Sequence, residues 1–84
     1  MWGMARPSPS HAGDAALVKI GQAIRTLRAE AGLSQEALAH EAEIDRSYLG
    51  GIERGEHNLA VINLLRICKS LNVDAWELLR RAEV

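Results

Sequence analysis

The sequence predicts an all-α chain folded as one compact five-helix bundle. Apolar residues recur at three- and four-residue steps in five separate segments, the period of a helix with one buried face. Residues that start and stop helices stand at the ends of those segments. No stretch alternates apolar and polar residues as a strand does, and there is no repeat or low-complexity tract. The length, 84 residues, suits a single small domain, and a hydrophobic content of 48% is enough for a core. Trp2, Tyr48 and Trp76 are the aromatics and Phe is absent, so that core is built of Leu, Ile and Ala in closely packed small helices.

Residues 1–14 hold Pro7, Ser8, Pro9, Ser10 and Gly13 without periodicity and read as a disordered arm preceding a folded domain over 15–84. The first helix spans Ala15–Ala31, with Leu17, Ile20, Ile24 and Leu27 inward and Lys19, Gln22, Arg25 and Glu30 outward; Gly32 ends it in left-handed backbone. Ser34 caps a second helix, Gln35–Ala42, that buries Leu38, Ala39 and Ala42. Asp45 caps a third, Arg46–Arg54, with Leu49 and Ile52 as core positions and Gly55 as its stop. The fourth, Ala60–Leu71, carries Val61, Leu64, Leu65, Cys68 and Leu71 as an apolar stripe that Ile67 widens, and Asn72 is its left-handed cap. The fifth opens at Asp74 with Glu77 three residues on, a capping-box pattern, and shows Val73, Trp76, Leu79 and Ala82 on one face.

Composition excludes several function classes. One cysteine, Cys68, allows neither a disulfide framework nor a cysteine-rich zinc site. His11, His40, His57 and Cys68 lack ligand spacing, so no metal or cofactor is expected. No nucleophile elbow or glycine-rich phosphate loop supports an enzyme. No apolar run approaches the roughly 18 residues of a membrane span, and no signal-peptide core is evident, which points to a cytoplasmic chain. The net charge of −1 neither supports nor excludes nucleic acid, because patches matter more than totals.

The stretch from Gly32 to Gly55 is the most informative. It contains two short helices and a tight turn, and the second helix opens with a cap followed by Arg46, Ser47 and Tyr48. That is the layout of a helix-turn-helix, whose second helix enters the DNA major groove. Around it stand Ile24-Arg25-x-x-Arg28, Gly32-Leu33-Ser34-Gln35-x-x-Leu38-Ala39, Ile44-Asp45-Arg46-Ser47-Tyr48-Leu49, Ile52-Glu53-Arg54-Gly55, Asn58, and Leu64-Leu65-x-Ile67 leading to Leu71-Asn72-Val73. In this order and spacing the chain, over roughly residues 17–80, resembles the Xre/Cro-like helix-turn-helix regulators. Asp45-Arg46-Ser47-Tyr48, with Glu53-Arg54 and Asn58-Leu59, looks closest to the controller proteins of restriction–modification operons.

The resemblance implies a lambda-repressor-like five-helix fold that binds double-stranded operator DNA as a homodimer. It implies that Gln35 grips a phosphate at a helix N-terminus and that Arg46 reads guanine O6 and N7. Ser47 contacts a base or phosphate, and Tyr48 either presses on sugar or a thymine methyl or packs under the helix. Arg54, His57 and Asn58 follow the phosphate backbone, with a pairing of Arg54 to Glu56 as the plainer reading. Arg28 and Glu53 match a structural ion pair. Trp76 and Leu79, on the fifth helix beside the end of the fourth, match a dimer surface. Arg6 and His11 suit an arm that touches DNA.

The chain departs from that family at several places. Glu43 takes a turn position that usually holds Gly or Asn, Leu59 replaces a common Pro, and His57 replaces a common basic residue. Gly50 and Gly51 sit inside the recognition helix, where they either remove base-reading side chains or let the backbone lie deep in the groove. Between residues 43 and 58, Glu43, Asp45, Glu53 and Glu56 oppose Arg46 and Arg54, a net −2 with His57 neutral. A sequence-specific regulator without a small-molecule ligand is the first expectation. The alternative is an antitoxin or adaptor that uses the fold to hold a protein partner.

Overall fold

The computed structural model describes residues 13–84. Five helices follow one another: α1 (Ala15–Glu30), α2 (Gln35–Ala42), α3 (Arg46–Glu53), α4 (Val61–Leu71) and α5 (Ala75–Ala82), and there is no strand among the described residues. Ala31, Arg54 and Ala60 fall just outside the helices as caps. Most of the N-terminal arm, with Arg6 and His11, lies outside the described residues. Gly13 donates its N–H to the Gly55 carbonyl at 2.9 Å, and the Asp14 carboxylate caps α1 by accepting from the Ala16 N–H.

All five helices stop in the same way. In each, the residue after the helix or one further is left-handed: Gly32, Glu43, Gly55, Asn72 and Glu83, with φ of 73°, 60°, 75°, 60° and 63°. The next N–H then reaches back five residues, as from Leu33 to Arg28, Ile44 to Ala39, Glu56 to Gly51 and Val73 to Cys68. This Schellman motif satisfies carbonyls that a helix end leaves bare. Leu33, Ile44 and Val73 also press their side chains against the core, so three of the chain reversals are pinned by burial. Only Ser34 and Asp14 make side-chain cap bonds at helix starts. Asp45 accepts from the Ser47 hydroxyl instead, and Asp74 makes no cap bond, so the capping box expected at α5 is not formed.

The core takes one large, fully buried side chain from each helix: Ile24, Leu38, Leu49, Ile67 and Leu78. Two apolar stripes differ from the pattern expected. On α5 the buried residues are Leu78 and Ala82, with Ala75 and Leu79 packed beside them, while Trp76 is 63% exposed. Steps of three rotate a helix backwards by about 60° each, so positions 73, 76, 79 and 82 cannot share a face, whereas 75, 78, 79 and 82 do. On α4, Ile67 is central and Val61 and Leu65 stand outside with Ile62.

α1 crosses α3 at a glycine. A Cβ on Gly21 would meet the carbonyl oxygens of Ile52 and Glu53, the latter at 2.6 Å, and the Glu53 carbonyl carbon at 2.8 Å. Both neighbours are backbone and cannot yield as a side chain would. One turn earlier, Val18 lies against Gly55, where a Cβ would come within 2.7 Å of the Val18 Cα.

The close crossing brings Arg28 onto Glu53, the sole buried charged residue among those described. Arg28 donates from Nε to Glu53 Oε2 at 2.7 Å and from Nη2 to Oε1 at 3.1 Å, and its Nη1 reaches the Leu33 carbonyl at 3.0 Å. Gln35 Nε2 donates to Glu53 Oε1 at 2.9 Å, and Arg25 stands 3.7 Å away. Burial by itself pushes the Glu53 carboxyl upward. The hydrogen bonds from Arg28 and Gln35, with the charges of Arg28 and Arg25, outweigh it and hold the group below the usual carboxylate range.

Gly21→Ala gains helix propensity yet loses about 1–3 kcal/mol of stability through the backbone overlap, read as a lower urea midpoint at unchanged slope. Arg28→Ala strands a buried carboxylate and costs about 3–5 kcal/mol. Arg81→Ala, which breaks the exposed pair to Glu30, costs less than about 1 kcal/mol in the same assay. Because the folded-state Glu53 value lies below the unfolded one, its contribution is complete above the unfolded value near 4.5 and is lost as pH falls through the folded value. Thermal unfolding followed from about pH 6 downward therefore shows a midpoint that drops in acid, and Glu53→Gln has a lower midpoint at neutral pH and a shallower acid limb.

Candidate nucleic-acid interface

α2 and α3 meet across the left-handed turn at Glu43, and the Glu53 network ties the base of α3 to α1 and to the first residue of α2. The outer surfaces of α2 and α3 are thereby set at one fixed angle.

Arg46, the first residue of α3, is exposed and forms no ion pair among the described residues. Asp45, the neighbour that would neutralise it, accepts from the Ser47 hydroxyl at 3.0 Å, so Ser47 is itself engaged. Tyr48 is half-buried against the core, and its hydroxyl accepts from Asn63 Nδ2 at 3.1 Å. Of its two readings, the geometry is that of a ring packed under the helix. Its centroid is 5.1 Å from that of His57, tilted by 47°.

Gln35 is half-buried, and Ser34 rather than Gln35 caps α2, accepting from the Ala37 N–H at 3.0 Å. One amide hydrogen of Gln35 serves Glu53; the other remains, beside the free N–H groups of the first turn of α2. Arg54, the C-cap of α3, is exposed and forks onto Glu56, with Nε to Oε2 at 2.8 Å and Nη2 to Oε1 at 3.2 Å. Those hydrogen bonds hold the Glu56 carboxyl below its usual range. The Arg54 Nη1 group keeps its donors. His57 and Asn58 are exposed in the loop that follows.

Gly50 and Gly51 are both buried. The Arg54 guanidinium lies over Gly50, with Nη1 3.2 Å from where a Cβ would stand and the Gln35 amide near 3.8 Å. The His57 ring lies over Gly51, its Cδ2 2.5 Å from that point, with Glu56 Oε1 at 3.6 Å. The acidic balance of residues 43–58 is thus mostly internal. Glu53 is spent on Arg28 and Glu56 on Arg54, which leaves Arg46 as the one arginine of that segment without a carboxylate.

Trp76 stands in solvent with the Arg80 guanidinium 5.8 Å above its ring, while Leu79 is half-buried against the core. Val61, Ile62 and Leu65 are further exposed apolar side chains, 69%, 58% and 47% accessible. Among the described residues no three His, Cys, Asp or Glu side chains are placed to hold a metal ion, and burial pushes the Cys68 thiol up, as for a core residue. No described helix is long and apolar enough to cross a membrane.

Sequence reasoning named the Arg54–Glu56 pair that the structure forms but passed over Gly21 and Asn63 as positioning residues. Gly21 carried a signal, since a glycine inside a helical pattern usually marks a close approach. Asn63 carried none, because its partner Tyr48 is brought to it only by the fold.

Residues 24–77 match the model of a helix-turn-helix family. The chain is 40% identical over 60 residues to Control protein C.BamHI of Bacillus amyloliquefaciens, covering 70% of this chain and 74% of that protein. It is 48% identical over 56 residues to the HTH-type transcriptional regulator RamB of Mycobacterium tuberculosis, covering 67% of this chain and 12% of RamB. The crystal structure of the restriction-modification controller protein C.AhdI from Aeromonas hydrophila superposes with a TM-score of 0.75 at 48% identity, covering 76% of this chain and 97% of that one. With the five-helix architecture and the α2–turn–α3 unit, these matches establish that the chain belongs to the helix-turn-helix family of DNA-binding transcriptional regulators.

Proposed function

We propose that the chain binds a pseudo-palindromic operator as a homodimer and acts as the autoregulatory controller of a restriction–modification operon. The observation that carries the DNA reading is Arg46, a guanidinium with no ion pair among the described residues, on the exposed first residue of a helix that a buried ion pair locks in place. A planar fork of donors there suits guanine O6 and N7 in the major groove. The remaining amide hydrogen of Gln35 and the first-turn N–H groups of α2 suit a phosphate. Asn58, exposed in the loop that follows α3, suits the adjoining backbone.

One such helix reads only a few base pairs. A dimer through Trp76, with Leu79 behind it and the outer residues of α4 beside it, would present two copies of α3 about 34 Å apart, one helical turn of DNA. The controller assignment rests on the extent of similarity. The matches cover 74% of C.BamHI and 97% of C.AhdI, against 12% of RamB. A controller of this kind works in the cytoplasm through its own concentration, needs no small-molecule ligand and carries out no reaction. Few free cations imply a shallow dependence of affinity on salt.

Selection of duplexes from a randomised pool tests this directly; the expected product is a two-fold symmetric site with half-sites about one helical turn apart. Arg46→Ala should lose binding to that site in a gel-shift titration while circular dichroism stays unchanged; unchanged affinity would show that α3 is not the reader. Trp76→Ala should raise the dimer dissociation constant in analytical ultracentrifugation, and a monomeric wild type at micromolar concentration would rule out the dimer.

A further inference from the structure

Two glycines in an eight-residue helix need a reason, since glycine is a poor helix former. Backbone conformation does not supply one: among the described residues the positive-φ glycines are Gly13, Gly32 and Gly55, and neither Gly50 nor Gly51 is one of them. Room does. Both glycines are buried, yet what covers them is side chains that are themselves exposed, Arg54 on Gly50 and His57 on Gly51. A methyl at Gly51 would overlap the His57 ring, and the other atom near it is Glu56 Oε1.

His57 is held from a second side. Its ring is 5.1 Å from that of Tyr48, whose hydroxyl is bound by Asn63. It therefore lies in a slot between the bare backbone of Gly51 and an anchored aromatic ring. Arg54 is held likewise, laid on Gly50 by the two-pronged contact with Glu56.

We propose that Gly50 and Gly51 form a seat that lays the Arg54 and His57 side chains across the face of α3, so that the loop after the helix supplies the base-reading groups that the helix interior lacks. The inference rests on the DNA-binding reading above. His57 is the sequence-reading residue and Gly51 its positioning residue; the imidazole N–H suits the O6 and N7 acceptors of a guanine edge. In this arrangement the glycines make room for protein side chains rather than for the approach of DNA.

A double-mutant cycle separates the two roles. Wild type, Gly51→Ala, His57→Ala and the double variant are titrated with the duplex recovered from the randomised pool and with a scrambled duplex of equal length. Circular dichroism and ultracentrifugation monitor fold and dimer. Each single variant is expected to lose about tenfold in preference for the recovered duplex over the scrambled one. The double variant is expected to lose no more than His57→Ala alone, because the alanine methyl then meets nothing. The proposal is overturned if Gly51→Ala keeps the wild-type preference. It is overturned equally if its loss persists undiminished in the His57→Ala background, which would mean that the methyl strikes DNA. Equal weakening on both duplexes also overturns it, since His57 would then touch phosphate only. Should Gly51→Ala fail to fold, the same cycle with Gly50→Ala and Arg54→Ala decides, because a methyl at Gly50 comes within 3.2 Å of Arg54 Nη1. A wild type that enriches no duplex would instead overturn the DNA reading itself.

Discussion

The Glu53 carboxylate is shut away from water with three helices converging on it. Arg28 and Arg25 come from α1, Gln35 from α2, and Glu53 itself ends α3. The apolar core beneath, with Ile24, Leu38 and Leu49, resists separation of these helices, but burial of apolar surface is itself non-directional. A two-pronged contact between guanidinium and carboxylate has one good geometry. It can form here because Gly21 lets α1 approach the backbone of α3 closely. The same arginine binds the Leu33 carbonyl at the end of α1, so the start of the α1–α2 loop is held by the group that holds α3. The presentation of α3 thus depends on an interaction that is itself out of reach of DNA.

The turns add a second constraint. Each helix ends in left-handed backbone, and the residue that follows decides whether the reversal is firm. At Glu43, between α2 and α3, a non-glycine residue bears a left-handed strain of about 1–2 kcal/mol. Ile44, packed into the core directly after it, offsets that strain with a burial term of similar size. This explains how the turn keeps its geometry without a Gly or Asn at that position. Gly55 is different, because Val18 lies against it and leaves no space for a side chain.

Much of this was legible in the sequence, because helix periodicity and stop signals are local. The element boundaries, the left-handed positions at Gly32 and Asn72 and the core roles of Ile24, Leu38 and Leu49 all follow from spacing within one helix. What was not legible depends on how a helix is rotated about its axis once packed. Trp76 and Leu78 are equally apolar in sequence, yet one faces water and the other the core, because a stripe read in steps of three drifts around the helix. The same drift hid the outward position of Leu65. At the candidate interface, the residue types were visible but their partners were not. Which of its readings Arg54 takes is decided by the loop conformation that lays it on Glu56, and that Gln35 braces Glu53 depends on segments that only the fold brings together.

The acidic balance of residues 43–58 becomes intelligible once its charges are sorted by partner. Glu53 does not project toward a ligand at all, and its charge is neutralised from behind by α1. Glu56 lies beside Arg54, holding part of its fork while leaving Nη1 open. Of the arginines between 43 and 58, Arg46 pairs with no carboxylate among the described residues and stands exposed as the first residue of α3. A surface with so few free cations gains little from phosphate attraction, which acts on any sequence alike. On the proposed reading, discrimination comes from where a small number of donors are placed. Rigid placement is what the buried ion pair, the pinned turn at Ile44 and the covered glycines supply together.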